Sequence, residues 1–190
     1  MLLATTSRLA RLPVRRASSS VGNFSALRVV PYPTGKALEA DRAFATGDEL
    51  FQFTGKLRRD NIGDRSIQVG REAHLTLSRA DVEEPWVFLN HSFTPTVHLT
   101  HAPVSTAAEP PPVLTATANS DLLPGMALTI DYTLHEWEMH EGGFVCAETG
   151  RQVNGWLHLT EQEKDAKLSR AAPHVRALHL QHLFGSESRC

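Results

Sequence analysis

Three short segments of this 190-residue chain bring together side chains that could do chemistry. Asn90-His91-Ser92 sets an amide, an imidazole and a hydroxyl side by side, directly after Trp86-Val87-Phe88-Leu89 and just ahead of Pro95. Such a polar turn pressed against apolar residues must find hydrogen-bond partners, either in a satisfied core network or in a ligand. Asp131-Tyr132 closes the apolar run Met126-Ala127-Leu128-Thr129-Ile130, so its phenol is either a rim tyrosine in water or a hydroxyl aimed into a cleft. Gly35-Lys36-Ala37 places a glycine between two strand-like runs, where it serves a turn or lets a ligand lie against bare backbone. The histidine pairs His98 with His101 and His135 with His140 lack a Cys, Asp or Glu at a zinc spacing, and no metal is expected. Neither Cys146 nor Cys190 belongs to a Cys-x-x-Cys pair or a disulfide framework, and a reducing compartment is the default. The absence of a Gly-x-Ser-x-Gly elbow, a Walker loop and a Gly-x-Gly-x-x-Gly fingerprint argues against serine hydrolases, nucleotidases and dinucleotide enzymes.

The elements that must position these residues read mostly as short strands. ALRVV, KALEA and ELFQFTG follow one another across Pro and Gly turns, with Phe51 and Phe53 alternating against Leu50, Gln52 and Thr54 as in a half-buried strand. Strands are expected at 66–69, 74–77, 96–100 and 113–118, the last two separated by a loop with Pro110-Pro111-Pro112. WVFLNHS is too short for a regular helix, and the Leu123-Pro124-Gly125 turn leads into a strand over MALTIDY. Helix signals come only at the end, where Thr160 and Glu163 form a capping box ahead of EQEKDAKLSR and Pro173 opens a second helix bearing Val175, Leu178 and Leu183. The expected class is mainly β, a β-rich α+β body with a helical C-terminal tail.

With 41% hydrophobic and 21% charged residues the chain reads as one soluble globular domain, and no run approaches the ~18 apolar residues of a membrane span. The formal charge of −2 hides an asymmetry. Residues 1–22 hold Arg8, Arg11, Arg15 and Arg16, four leucines, a serine run and no acid, as organelle transit peptides do. We expect import into the mitochondrial matrix, with a plastid as the alternative, and cytoplasm or nucleus if the segment is only a basic tail. The remaining body carries 15 basic against 21 acidic side chains, a charge of −6. That disfavours direct binding of nucleic-acid phosphates and suits a basic partner such as a lysine-rich peptide.

Taken in order, GKALEADRAFATGDELFQFTG, SIQVGREAHL, VFLNHSFTPTV, ALTIDY and FVCAETGRQVNGWLHLTEQEK closely resemble the SET-domain family of protein lysine methyltransferases, in particular its small single-domain members. The resemblance runs from about residue 25 to residue 172, and LNHS with Pro95 and the TIDY tyrosine are its most specific parts. It implies a SET fold of several small, short-stranded sheets with a threaded C-terminal segment. The division would be a transit peptide at 1–22, a SET domain at 25–133, a post-SET-like segment at 134–158 and a helical tail at 159–190. It further implies the cofactor S-adenosylmethionine and a lysine-bearing protein or peptide, meeting through a narrow channel for in-line methyl transfer. By resemblance Gly35, Lys36 and Ala37 lie along the methionine part of the cofactor, and Asn90 and His91 bond its amino group and adenine side. Phe144 covers the adenine, Tyr132 is the catalytic residue at the transfer channel, and Phe53 and Phe93 stand on the substrate side. A phenol suits that place, since its pKa of about 10 keeps it neutral beside a cationic sulfur.

The chain also departs from the family. Where many members carry a zinc-binding cysteine cluster after the domain, only Cys146 remains. Ala37 replaces a glycine, Phe53 a frequent tyrosine, Phe93 the cysteine after the Asn-His-Ser triplet and Thr96 an asparagine. Two readings follow, an active methyltransferase or an inactive SET-fold module that binds a peptide or protein.

Overall fold

A computed structural model of the chain describes residues 22–33, 35–63, 65–78 and 83–187, with side chains as far as residue 184. Residues 1–21 of the expected targeting segment lie outside the described residues. Strands β1 (Leu27–Tyr32) and β2 (Gly35–Ala40) pair antiparallel, Leu27 opposite Ala40 and Tyr32 opposite Gly35. Next come β3 (Glu49–Phe53), β4 (Lys56–Arg58), β5 (Ser66–Gly70) and β6 (Ala73–Thr76). A 3-10 turn over Pro85–Phe88 leads into β7 (Asn90–His91), followed by β8 (Val97–Thr100), β9 (Leu114–Ala118) and β10 (Thr129–Ile130). The C-terminal part holds β11 (Phe144–Val145), β12 (Gln152–Val153) and the helices α1 (Glu161–Lys167) and α2 (Pro173–Glu187).

The sheets among the described residues are small, with orders β3-β9-β8 and β4-β6-β5 and the pairs β1-β2, β7-β10 and β11-β12. The chain is mainly β, as expected. In β3 both Leu50 and Phe51 are buried, because the register steps by two residues there against one on β9. A bulge takes up the extra residue and breaks the simple alternation. Phe51 and Phe53 then face one side, in an aromatic column running from Phe24 through Phe51 and Phe53 to Trp86. This column anchors the main core, with Leu38, Val69, Leu75, Leu114 and Leu128 fully buried around it. A second core under the tail gathers Leu134, Trp156, Leu159, Ala171, Ala172 and Val175.

The strand expected over MALTIDY is shorter in the structure. Leu128 N–H donates to Leu38 O at 2.7 Å and Ala127 bridges Glu39, while Thr129 and Ile130 pair in parallel with Asn90 and His91. The 127–131 segment is thereby threaded between β2 and β7. Asp131 ends the strand, since its Oδ1 accepts from Thr133 N (3.1 Å) and Thr133 Oγ1 (2.6 Å) and bends the chain into a 3-10 turn over Tyr132–Leu134. The Thr160–Glu163 capping box is present, but the first tail helix stops at Lys167 and tightens into a 3-10 turn over Leu168–Arg170 before Pro173.

Candidate functional site

The parallel pairing of β7 with β10 brings the Asn-His-Ser triplet beside Tyr132, although 41 residues separate His91 from the tyrosine. Both ends of Tyr132 are tied to the 89–91 segment: its N–H donates to His91 Nδ1 at 3.2 Å, and its hydroxyl donates to Leu89 O at 2.7 Å. The ring can therefore hardly turn without breaking a hydrogen bond. Burial lowers the His91 pKa from 6.5 to about 4, so the imidazole is neutral at pH 7. With Nδ1 accepting, the proton resides on Nε2, a buried atom without a hydrogen-bond partner among the described residues. Asn90 Nδ2 donates to Lys36 O at 3.0 Å, which fastens the triplet to β2. The Lys36 ammonium pairs with Glu83 at 2.6 Å and lies 5.0 Å from the Phe88 ring centre.

Beside Tyr132 opens a cavity of about 530 Å³, walled by Trp86, Leu89, Ile130, Tyr132, Ile67 and Phe144. Two acids, Glu136 and Glu141, also line this space, and of the two Glu136 is buried. Glu136 is 7% exposed; its Oε1 accepts from Gln68 N at 2.8 Å, and its buried Oε2 has no hydrogen-bond partner among the described residues. Burial raises its pKa from 4.5 to about 7, the Gln68 hydrogen bond opposing the shift only in part. The backbone holds the residue firmly, since Glu136 N donates to Tyr132 O at 2.8 Å and Trp156 N donates to Glu136 O at 2.8 Å. Sequence reasoning missed Glu136; the signal available was a lone acid between His135 and Trp137, four residues beyond the tyrosine.

The structure brings most of the expected residues together. Phe144 forms part of the cavity wall, edge-on to Tyr132 (5.9 Å between ring centres) and to His91 (5.7 Å). Gly35, Lys36 and Ala37 lie outside the wall and join the set through the Asn90 bond; Gly35 has φ +129° and open space where a Cβ would stand. Phe53 sits behind Trp86, the two rings stacked at 4.9 Å, so that Trp86 rather than Phe53 faces the cavity. Phe93 packs edge-on against His91 at 4.5 Å and carries the Arg151 guanidinium 4.2 Å above its ring centre and Lys167 Nζ at 5.1 Å.

That placement of Phe93 explains how the closing segment is held without a cysteine cluster. The β11–β12 hairpin is fastened by Arg151 on Phe93, by the Arg151–Glu163 ion pair and by Ser92 Oγ donating to Glu148 at 2.8 Å. Beneath it, the Lys167 ammonium pairs with the buried Asp131 and bonds Thr133 Oγ1 at 3.3 Å. Cys146 is buried as a free thiol, and no group of three His, Cys, Asp or Glu among the described residues is placed to hold a metal. The histidines group differently from the sequence pairs: the His101 ring stacks on His174 at 5.8 Å and lies 6.4 Å from His135, and a ring nitrogen of His174 bonds His135 O at 2.7 Å.

No protein-family model matches the sequence, and no curated protein matches it. Among solved structures, the chain is similar to KRYPTONITE in complex with mCHH DNA, an H3(1-15) peptide and SAH, at TM-score 0.46 and 19% identity over 56% of this chain and 23% of that one. It is similar to KRYPTONITE with mCHG DNA and SAH, at TM-score 0.45 and 19% identity over the same shares. A Plasmodium falciparum protein described as a candidate histone methyltransferase shows TM-score 0.44 and 12% identity over 56% of this chain and 92% of its own. The likeness thus spans about a quarter of the KRYPTONITE chains, and the ligands named are those of their complexes. Among the described residues the sheets have two or three strands, and the Asn-His strand lies parallel to the strand that ends at the tyrosine.

Proposed function

We propose that the chain is an S-adenosylmethionine-dependent protein-lysine N-methyltransferase. The observation that carries this reading is Tyr132, pinned at both ends to the 89–91 segment, at the wall of a cavity of about 530 Å³. The residues present fit the cofactor. His91 Nε2–H is a buried donor in need of an acceptor, and Gly35 leaves bare backbone beside Asn90. The Tyr132 and Phe144 rings offer π faces to a cation. Asn90, His91 and the 35–37 backbone would hold the cofactor, whose contribution when bound is a methyl group activated on a positively charged sulfur.

The chain's own residues then do the positioning, which is the larger part of catalysis when the donor is already activated. The Tyr132 hydroxyl spends its proton on Leu89 O, so its oxygen is oriented to accept a hydrogen bond from an incoming amine without bringing a full charge. Trp86, Leu89 and Phe144 exclude water from an alkyl chain lying in the cavity. Dry surroundings lower the pKa of a lysine and favour its neutral, nucleophilic form. The acidic body supports a lysine-bearing protein or peptide as the partner, rather than a nucleic acid. Calorimetric titration of the full chain with S-adenosylmethionine tests the reading: binding is expected, and none at millimolar cofactor overturns it. Tyr132→Phe should retain cofactor binding while losing transfer of radiolabelled methyl to lysines.

A further inference from the structure

The cavity is lined by apolar residues such as Ile67, Trp86 and Leu89 and by two acids, of which Glu141 is exposed and Glu136 buried. Glu136 lines the space; its Oε2 is buried and has no hydrogen-bond partner among the described residues, while the other oxygen is occupied by Gln68 N–H. A buried carboxyl oxygen without a donor is costly, and two backbone hydrogen bonds hold the residue that bears it in place. Neighbouring polar groups do not meet the need. His135, His140, Glu141 and Tyr132 share the cavity, and Ser66 lines it from β5, yet none of them donates to this oxygen. Apolar wall residues beside a buried acid that lacks a donor have the complement of an alkylammonium: methylenes against Ile67, Trp86 and Leu89 and a cation at the acid.

We propose that Glu136 is the substrate-recognition residue of this cavity, its Oε2 receiving the ammonium of the incoming lysine and accepting one of its protons. The proposal rests on the methyltransferase reading for its consequence, though the cation site itself does not require it. In the proton step an N–H bond of the ammonium breaks and an O–H bond to Oε2 forms. A charged pair becomes a neutral amine and a neutral carboxylic acid, with the nitrogen lone pair freed. Desolvation favours that direction, since it raises the acid's pKa and lowers the amine's. The carboxyl therefore serves first as an anchor and then as the place where the proton is stored.

The test uses the full chain and n-butylammonium chloride as the probe, with n-butanol as the uncharged control, followed by ligand-observed saturation-transfer NMR. The probe stays protonated at both pH 6 and pH 8, whereas Glu136 passes from mostly neutral to mostly ionised, so n-butylammonium should bind about tenfold more tightly at pH 8. Glu136→Gln keeps the acceptor for Gln68 N–H and the shape of the side chain; it should bind both probes alike at both pH values. Unchanged n-butylammonium affinity in Glu136→Gln overturns the proposal, as does wild-type affinity that is flat from pH 6 to pH 8. The wild-type comparison stands alone if the variant fails to fold. The cofactor titration is a separate result: its failure removes the methyltransferase reading and leaves the alkylammonium measurement to decide the cation site.

Discussion

Replacing Glu136 with glutamine should change how stability depends on pH, by an amount set by the burial of one carboxyl. In the folded chain Glu136 gives up its proton near pH 7; unfolded, it does so near 4.5. Between these values the folded state holds a proton that the unfolded state has released, so the group's contribution is fully present below about pH 4.5 and is lost as pH rises to about 7. A difference of that size is worth about 3 kcal/mol in total, and about 2 to 3 kcal/mol between pH 5 and pH 8. Glutamine does not titrate and loses nothing over that window. Urea unfolding of wild type and Glu136→Gln at pH 5, 6, 7 and 8 gives the difference directly, because the other ionisable groups are common to both chains and cancel. Glutamine should gain on wild type steadily from pH 5 to pH 8. Two parallel curves, separated by a constant offset, would show that the carboxyl is as well hydrated in the folded chain as in the unfolded one.

The histidines act in the opposite sense. Burial lowers His91 and His174 to about 4, so the stability they contribute is present above the unfolded value of 6.5 and is lost as pH falls toward 4. The near-UV circular dichroism of Trp156, whose ring lies 5.6 Å from that of His179 on α2, should fade over that range; an unchanged band at pH 4.5 refutes the idea. Arg151→Ala should loosen the β11–β12 hairpin by about 1 kcal/mol, the sum of a cation–π contact and a partly exposed ion pair. Amide exchange at 144–153 would then quicken about fivefold while global stability holds, and unaltered exchange would mean that the stack does not fasten the lid. Residues 1–30 fused to a fluorescent reporter should direct it to mitochondria, an outcome excluded by a diffuse cytosolic signal.

What could be read from the sequence was chemistry carried by adjacent residues. Asn90-His91-Ser92 and Asp131-Tyr132 announce themselves as polar groups abutting apolar runs, and Thr160 with Glu163 is a cap whose logic is complete within four residues. What could not be read depends on partners far along the chain. Phe93 looks like a lost cysteine until Arg151 is seen to stack on it from 58 residues away. Phe53, inward-facing by alternation, could have met either the cavity or the core, and only the stacked Trp86 decides. Leu50 breaks the alternation because a bulge depends on the register of β9, which β3 alone does not reveal. Glu136 was hardest, since an acid on paper is a surface residue by default, and its burial follows from Gln68 and Trp156 closing over it.

The turn bearing Tyr132 and Glu136 is clasped from behind by the tail: Ala172 N donates to Leu134 O at 2.8 Å, and His174 bonds His135 O at 2.7 Å. Every wall of the pocket is therefore synthesised before the residues that lock it. A nascent chain halted at residue 160 would contain all the candidate groups and still lack the geometry, so competence should emerge from the ribosome abruptly, within the final helix, rather than accumulate as the strands are made.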